Sequence, residues 1–212
     1  MAALSAMAWR VLVPLKRPAT GKRRLLGATR DTADHAQLVH AMQLDTLDAV
    51  LAVTTHPLIA GLSVVAGPLG FRLPAAIELL PDAGGGLNPA LATAAVELAR
   101  RYPDAGVAAL VGDLPALRPA DLLAALEAAS GYPRSFVRDL AGTGTTLLAA
   151  AAGAPLKPLF GDNSACRHAE SGAVELTAAT SLRADVDSVE DLRFCLQLGT
   201  GLLTAQMLPD LV

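Results

Sequence analysis

Asp113 closes an apolar run, Val107-Ala-Ala-Leu-Val-Gly-Asp113, that Pro115 stops two residues later. The run is typical of a buried parallel strand, and ligands of open α/β sheets collect at the carboxyl ends of such strands. A carboxylate at that position could hold a hard cation such as Mg²⁺. A second acidic segment, Asp185-Val-Asp187, could supply further oxygen ligands. Together these acids would suit metal-assisted chemistry on a phosphorylated substrate.

Both acidic segments also have a structural alternative. The aspartate of a Gly-Asp-Leu-Pro turn can simply end a strand and cap the next helix, which would leave Asp113 without a chemical role. Asp187 directly precedes Ser188-Val-Glu-Asp191, a sequence that fits a capping box for a following helix. Neither acid decides the function alone.

A cation-rich segment follows the first apolar run of the chain. Lys16-Arg17 and Lys22-Arg-Arg24 place five of the 17 lysines and arginines within nine residues. In a chain whose formal net charge is -3, such a cluster after a first strand predicts a site for the phosphates of a nucleotide. The alternative is a solvated charged loop.

The segment Phe160-Gly-Asp-Asn-Ser-Ala-Cys-Arg-His168 could bind an anion at the start of a short helix. Backbone amides near Gly161 and the Ser164 hydroxyl are the donors in this interpretation. The alternative is a plain helix cap by one of the polar residues at 162–164. The cysteine and the histidine of the segment are assigned no role.

Two further turns are ambiguous between a ligand site and a structural role. The backbone N–H groups of Gly142-Thr-Gly-Thr-Thr146 could converge on an oxyanion, but a hairpin turn explains the same residues. Asn88, in Gly86-Leu-Asn-Pro-Ala90, could bind a ribose or a base edge, or could equally cap a helix.

The composition predicts one α/β domain over residues 1–212. A length of 212 residues with 52% hydrophobic content suffices for one packed core, and no composition shift marks a linker. The net charge of -3 and the aromatic content of 3% provide neither a basic face nor a stacking platform, so nucleic acid is not an expected partner. Cys166 and Cys195 lack metal-ligand spacing and favour a reducing cytoplasm. No signal peptide or membrane span is expected.

Strand and helix signals alternate along the chain and predict a mostly parallel sheet flanked by helices. Residues 31–53, a segment ending near 101, 119–129 and 189–198 have helical signals. The predicted strands are 9–13, 62–66, 76–80, 107–111, 135–137, 145–150 and 174–176.

The order of these motifs resembles that of the guanylyltransferases of coenzyme F-420 biosynthesis, which join GTP to phosphoenolpyruvate or 2-phospho-L-lactate. The resemblance covers nearly the whole chain. The matching stretches are Leu15-Lys-Arg-Pro-Ala-Thr-Gly-Lys-Arg-Arg-Leu25, Ala41-Met-Gln-Leu-Asp-Thr-Leu47, Leu87-Asn88, Gly112-Asp-Leu-Pro115, Ser135-Phe-Val137, Gly142-Thr-Gly-Thr145, Phe160 to His168, Ser171-Gly-Ala-Val-Glu-Leu176 and Asp185-Val-Asp187.

The resemblance implies a nucleotidyltransferase-like (Rossmann-like) three-layer α/β/α sandwich with a mixed, mostly parallel sheet. It also implies GTP and a small phosphorylated carboxylic acid, preferably phosphoenolpyruvate, as substrates, and Mg²⁺ as cofactor. Lys16 and Lys22 would contribute to catalysis together with Asp113 and Asp185. The implied binding residues are Asp113, Asp185 and Asp187 for Mg²⁺; Thr145, Gly161 and Ser164 for the acid; Lys16, Lys22 and Arg24 for the triphosphate; and Asn88 for the guanosine.

The chain departs from the family pattern at two places. Gly21-Lys-Arg-Arg24 stands where relatives have Ala-Lys-Ser/Thr-Arg, which leaves open whether Arg23 or Arg24 contacts phosphate. Gln43 replaces a usual leucine.

A phosphate oxygen of the acid is ionised at neutral pH, so it could attack the α-phosphorus of GTP without a protein nucleophile. Alternatives that keep the fold are the same chemistry on 2-phospho-L-lactate, a phosphoglycerate, a molybdenum cofactor or a sugar phosphate. A catalytically silent nucleotide-binding protein is the alternative from another class. The sequence leaves open the oligomeric state and a hand-over of the product to the next enzyme of the pathway.

Overall fold

The computed structural model describes residues 7–16, 25, 31–82 and 84–207. The cations at 17 and 22–24 lie outside these residues, so the expectations for Lys22 and Arg24 stay predictions. Strands and helices alternate over most of the described chain. In order, the elements are β1 (Trp9–Leu15), α1 (Thr32–Leu51), β2 (Ile59–Ala66), β3 (Ile77–Pro81), α2 (Leu87–Arg101), β4 (Gly106–Leu110), α3 (Pro119–Ala129), β5 (Arg134–Arg138), β6 (Thr145–Ala150), α4 (Ser164–Glu170), β7 (Val174–Glu175), α5 (Thr180–Arg183), α6 (Val189–Leu198) and α7 (Leu202–Gln206).

The strands form a seven-stranded sheet in the order β3-β2-β1-β4-β6-β5-β7. β1 pairs in parallel with β2 and with β4, whereas β6 is antiparallel to both of its neighbours. The start of β6 therefore lies beside the end of β4, where the Val111 N–H donates to the Thr146 carbonyl over 2.9 Å. This arrangement confirms the mixed, mostly parallel sheet and gathers the predicted site segments at one edge.

Side chains alternate between the two faces of the central strand, and helices cover both faces. Val11 and Val13 of β1 share a buried cluster with Leu47 of α1. Leu12 points the other way, into a cluster with Leu98 of α2. Because both faces of a parallel sheet must be covered to bury its apolar side chains, the result is the expected three-layer sandwich.

Most helices begin where the sequence predicts. The Asp31 carboxylate accepts hydrogen bonds from the N–H groups of the first turn of α1, and Ser188 forms a capping box with Asp191 at the start of α6. Two short helices, α5 and α7, were not predicted, because four and five residues are too few to show a helical period. Among the described residues no helix has both the length and the apolar character needed to cross a bilayer.

The short helix α7 is capped by a side chain from α1. The Asp45 carboxylate, on a residue that is 6% exposed, accepts hydrogen bonds from the N–H groups of Leu203 (3.1 Å) and Thr204 (2.8 Å). These N–H groups belong to the first turn of α7, where backbone N–H groups have no acceptor within the helix. Asp45 therefore fixes the described C-terminal end of the chain against α1.

Replacing this cap should destabilise the fold. Asp45→Ala is expected to lower the free energy of unfolding by about 2 kcal/mol, since it leaves two N–H groups without their acceptor. Asp45→Asn should lose less, because one carbonyl oxygen remains. Urea unfolding followed by circular dichroism measures both. Asp48→Ala, which alters an exposed position of the same helix, is the control, and an equal loss there would refute the capping role.

Candidate active site

A cavity of about 670 Å³ opens at the edge of the sheet where β4 ends and β6 begins. It brings together three of the predicted segments: the residues after β4, the turn before β6 and the start of α4. The segment between α5 and α6 closes the same cavity. The predicted site residues in its lining are Asp113, Thr145, Gly161, Ser164, Asp185 and Asp187.

The two acidic segments are joined directly to each other. The backbone N–H of Val186 donates to the carbonyl oxygen of Asp113 over 3.1 Å, so Asp185 and Asp187 flank the residue that holds the Asp113 segment. From the other side, the Thr46 hydroxyl of α1 accepts from the Leu114 N–H over 3.0 Å. Carboxylates that are about 70 positions apart in the sequence therefore share one wall of the cavity.

The structural alternative is not observed for Asp113, whereas the capping box that follows Asp187 is present. The N-cap residue of α3 is Arg118, so Asp113 does not cap that helix. The N-cap residue of α6 is Ser188, and the backbone N–H of Asp187 joins this cap by donating to the Asp191 carboxylate over 3.1 Å. The Asp191 side chain also lines the cavity, but it is bound within the capping box.

The pKa of the Cys195 thiol is affected by the negatively charged residues of the cavity. Cys195 is fully buried on α6, and its Sγ lies 3.4 Å from the carbonyl oxygen of Ala184. Burial and, to a smaller extent, the charges of Asp191, Asp185 and Asp113 together raise the pKa of this thiol to about 12. The thiol is therefore neutral at physiological pH, and Asp113, Asp185 and Asp191 lie near enough to act on it electrostatically.

A smaller cavity of about 330 Å³ adjoins the first and contains Lys16. Asp113 and Asp187 line both cavities, so these carboxylates stand at the boundary between them. Gly112 makes the close approach possible, because a Cβ there would lie 2.8 Å from Leu15 Cδ2 at the end of β1. The end of β4 is thereby held against the end of β1, next to Lys16.

Gln43 has a structural contact in this chain. Its Nε2 donates to the carbonyl oxygen of Lys16 over 3.0 Å, and the side chain lines the smaller cavity. The contact anchors the backbone at the point where the cation-rich segment begins.

The Gly142–Thr146 segment includes the end of the hairpin turn between the antiparallel strands β5 and β6 and the first two residues of β6. Its Thr143 and Gly144 N–H groups converge on an oxyanion, as the glycine pattern suggests, but the oxyanion is the carboxylate of Asp139, at 3.0 and 2.8 Å. These donors stabilise the turn and are not left for a ligand. Sequence reasoning missed Asp139, although an acidic residue before a Gly-Thr-Gly turn is a signal for such a closure.

Three polar side chains meet beneath the larger cavity. Ser164 Oγ lies 3.2 Å from Thr145 Oγ1, which in turn lies 2.9 Å from Nδ1 of His168. The His168 Nε2 accepts the backbone N–H of Leu159 over 2.9 Å. His168 had been assigned no role from the sequence, yet its i, i+4 spacing from Ser164 places both on one face of α4 and could have indicated the contact.

The chain before α4 is held by Asn88 at the start of α2. The Asn88 amide donates to the Phe160 carbonyl over 3.0 Å and accepts the Phe160 N–H over 2.8 Å. Gly161 follows with φ = 113°, a conformation that favours glycine. Asn88 thus positions the loop that carries Gly161, while its contact with guanosine stays a prediction. The N-cap position of α4 is taken by Asn163, which makes no side-chain cap bond.

Within the described part of the chain, no group of three or more His, Cys, Asp or Glu residues forms a ready-made metal site. The donor set nevertheless suits a hard cation. The described lining of the larger cavity contains six aspartates and no lysine or arginine, and carboxylate oxygens are the ligands that Mg²⁺ and Mn²⁺ prefer. The residues present therefore fit a divalent ion.

No family model matches the chain. Among solved structures, a candidate nucleotide-diphospho-sugar transferase from Desulfovibrio desulfuricans G20 is similar, with a TM-score of 0.67, 17% identity, and coverage of 96% of this chain and 95% of the other. The protein Rv0371c of Mycobacterium tuberculosis H37Rv, crystallised in complex with manganese, has a TM-score of 0.54 at 23% identity and covers 91% and 99% of the two chains. At these identities the likeness concerns the fold.

The fold and the relatives together define the chain as a nucleotidyltransferase. The phosphoenolpyruvate guanylyltransferase of Streptomyces avermitilis is 46% identical over 209 residues, which cover 94% of this chain and 93% of the relative. The chain belongs to the phosphoenolpyruvate guanylyltransferase family.

Proposed function

We propose that the chain joins the GMP moiety of GTP to phosphoenolpyruvate and releases pyrophosphate, as a step of coenzyme F-420 biosynthesis. A phosphate oxygen of the acid bonds to the α-phosphorus, and the bond from that phosphorus to the α–β bridging oxygen breaks. The electron pair of the broken bond leaves with pyrophosphate, and the product is enolpyruvyl-diphospho-guanosine. The observation that carries the proposal is the Val186 to Asp113 hydrogen bond, which sets both acidic segments at one boundary between two cavities.

The two cavities suit the two substrates. GTP would bind in the smaller cavity, which Lys16 lines, because α/β folds commonly bind nucleotide phosphates at the end of the first strand. The phosphorylated acid fits the larger cavity, where Thr145, Gly161 and Ser164 offer hydroxyl and backbone groups. The reacting phosphorus would then lie at the boundary, beside Asp113 and Asp187.

A divalent cation is expected to bind with the substrates, and Mg²⁺ is the ion we propose. Two anionic substrates would be repelled by the aspartates of the cavity unless positive charge enters with them. Asp113 and Asp185 would hold the ion, with Asp187 assisting. When bound, Mg²⁺ neutralises phosphate charge and makes the α-phosphorus more electrophilic.

The chain's own residues contribute positioning rather than a nucleophile. The Cys195 thiol stays protonated, and the pKa of Cys166 is raised by its hydrogen bond to Glu170. The attacking oxygen belongs to the substrate and is already ionised. What remains for the protein is to hold the acid against Thr145 and Ser164 and the triphosphate against Lys16.

Mass spectrometry of the products tests the assignment. The purified chain is incubated with GTP, Mg²⁺ and, in separate reactions, phosphoenolpyruvate, 2-phospho-L-lactate or 3-phosphoglycerate. Enolpyruvyl-diphospho-guanosine should form fastest, with one pyrophosphate for each product molecule, and chelation of the metal should stop the reaction. Faster reaction of another acid would replace phosphoenolpyruvate as the acceptor. Absence of any nucleotidyl product with all three acids would refute the proposed function.

A further inference from the structure

We infer that His168 is a positioning residue that makes the Thr145 and Ser164 hydroxyls a net hydrogen-bond donor toward an anionic oxygen of the phosphorylated acid. The inference rests on the proposed function, because it concerns the side of the site that would bind the acid. It depends on which group donates in each of three successive hydrogen bonds, which link the Leu159 backbone to His168, His168 to Thr145, and Thr145 to Ser164.

The backbone N–H of Leu159 fixes the tautomer of His168. A backbone N–H can only donate, so the His168 Nε2 that it contacts at 2.9 Å must be the unprotonated nitrogen. In the neutral ring the proton then sits on Nδ1. This nitrogen lies 2.9 Å from Thr145 Oγ1, so His168 donates to the threonine oxygen.

The donation from His168 leaves one hydroxyl proton for a ligand. Thr145 and Ser164 have two O–H protons between them, and their 3.2 Å contact uses one. If Ser164 donates to Thr145, the Thr145 proton is left, and the reverse arrangement leaves the Ser164 proton. With the opposite tautomer, Thr145 would donate to the imidazole and Ser164 to Thr145, and the pair could face the cavity with lone pairs alone. His168 therefore biases the pair toward donation.

The surroundings of His168 keep the ring neutral. The residue is fully buried, and the Phe160 ring packs edge-on against the imidazole with centroids 5.2 Å apart. Burial and, to a smaller extent, the charges of Arg134 and Arg167 together lower the pKa of His168 to about 4. A neutral, locked ring gives the hydroxyl pair one fixed polarity at physiological pH.

The ligand that matches this polarity is an anionic oxygen. Thr145 and Ser164 are buried to at least 94% but still line the cavity, so their remaining donor is directed at whatever occupies it. A carboxylate or phosphate oxygen gains from a donor and is repelled by lone pairs. The described lining offers no lysine or arginine for this task, so an oriented hydroxyl donor has particular value there.

Steady-state kinetics on three variants tests the inference. His168→Phe keeps a ring but removes both nitrogens, and it should raise the KM for phosphoenolpyruvate about tenfold while the KM for GTP changes less than twofold. His168→Asn can still donate near the Nδ1 position and should recover most of the affinity. His168→Gln keeps an acceptor near Leu159 but not the donor to Thr145, and should recover little. His56→Asn is the control, because the His56 Nδ1 also accepts a backbone N–H, from Leu58 over 3.2 Å, on an exposed residue.

The outcomes separate the inference from the proposed function. If the wild type forms no product from GTP and phosphoenolpyruvate, the proposed function fails. If the wild type is active and both KM values change equally in every His168 variant, His168 is merely structural and the inference fails. Should His168→Phe not fold, nitrogen-15 NMR of the wild type decides: a proton on Nδ1 supports the inference, and a proton on Nε2 overturns it.

Discussion

Asp113→Asn is expected to lower kcat about 1000-fold, which corresponds to about 4 kcal/mol of transition-state stabilisation, while the fold is retained. The substitution keeps the shape of the side chain and the backbone carbonyl that accepts the Val186 N–H, but it replaces a charged oxygen with an amide nitrogen. If Asp113 holds the cation at the boundary of the two cavities, the loss falls on the chemical step. Single-turnover release of pyrophosphate measures it directly.

The matched control lies at the opposite end of the same strand. Asp104 is exposed before β4, so Asp104→Asn makes the same change of charge far from the cavity. It should leave kcat within about twofold, since exposed charges act weakly over such distances. Thermal unfolding of both variants shows whether a loss of activity comes from a loss of folded structure. Near-normal turnover of a folded Asp113→Asn variant would remove Asp113 from the mechanism.

The strands and the longer helices could be predicted from the sequence because their signals are local. The buried strand before Asp113 is a run of apolar residues, and Ser188 with Asp191 is a capping pattern three residues wide. The meeting of Asp113 with Asp185 followed from a general rule about strand ends together with the family resemblance. The structure supports that meeting through one backbone hydrogen bond.

The supporting residues were harder to predict, because several of their contacts join elements that are distant in the sequence. Asp139 precedes a Gly-Thr-Gly turn, which is a sequence signal, but its hydrogen bonds depend on how the turn before β6 folds back over its carboxylate. His168 gains its role from Leu159 and Thr145, which lie on a loop and on a strand. Asn88 was correctly placed at a helix start, but its binding to the Phe160 backbone depends on tertiary packing.

The turn before β6 gives the second large effect, through Gly144→Ala. A Cβ at this position would lie 2.3 Å from Oδ2 and 3.0 Å from Cγ of Asp139, which is closer than atoms can pack. The Asp139 carboxylate cannot move without releasing the N–H groups of Thr143 and Gly144. The Asp139 backbone is itself held, because Arg183 donates to its carbonyl oxygen over 2.9 Å. The turn must therefore shift, and the next residue along the chain is Thr145.

A shift of this turn should affect the proposed acid site in two ways. It displaces Thr145, the next residue, and it also acts on the start of α4, because the Thr143 carbonyl accepts the N–H of Ala165 in the first turn of that helix. Since displacements near 1 Å can cost about 100-fold in rate, kcat/KM for phosphoenolpyruvate should fall about 100-fold in Gly144→Ala, with the KM for GTP little changed. Gly131→Ala is the control, because its added Cβ would meet only one atom, at 3.5 Å. Unaltered kcat/KM in a folded Gly144→Ala variant would show that the turn does not position the substrate.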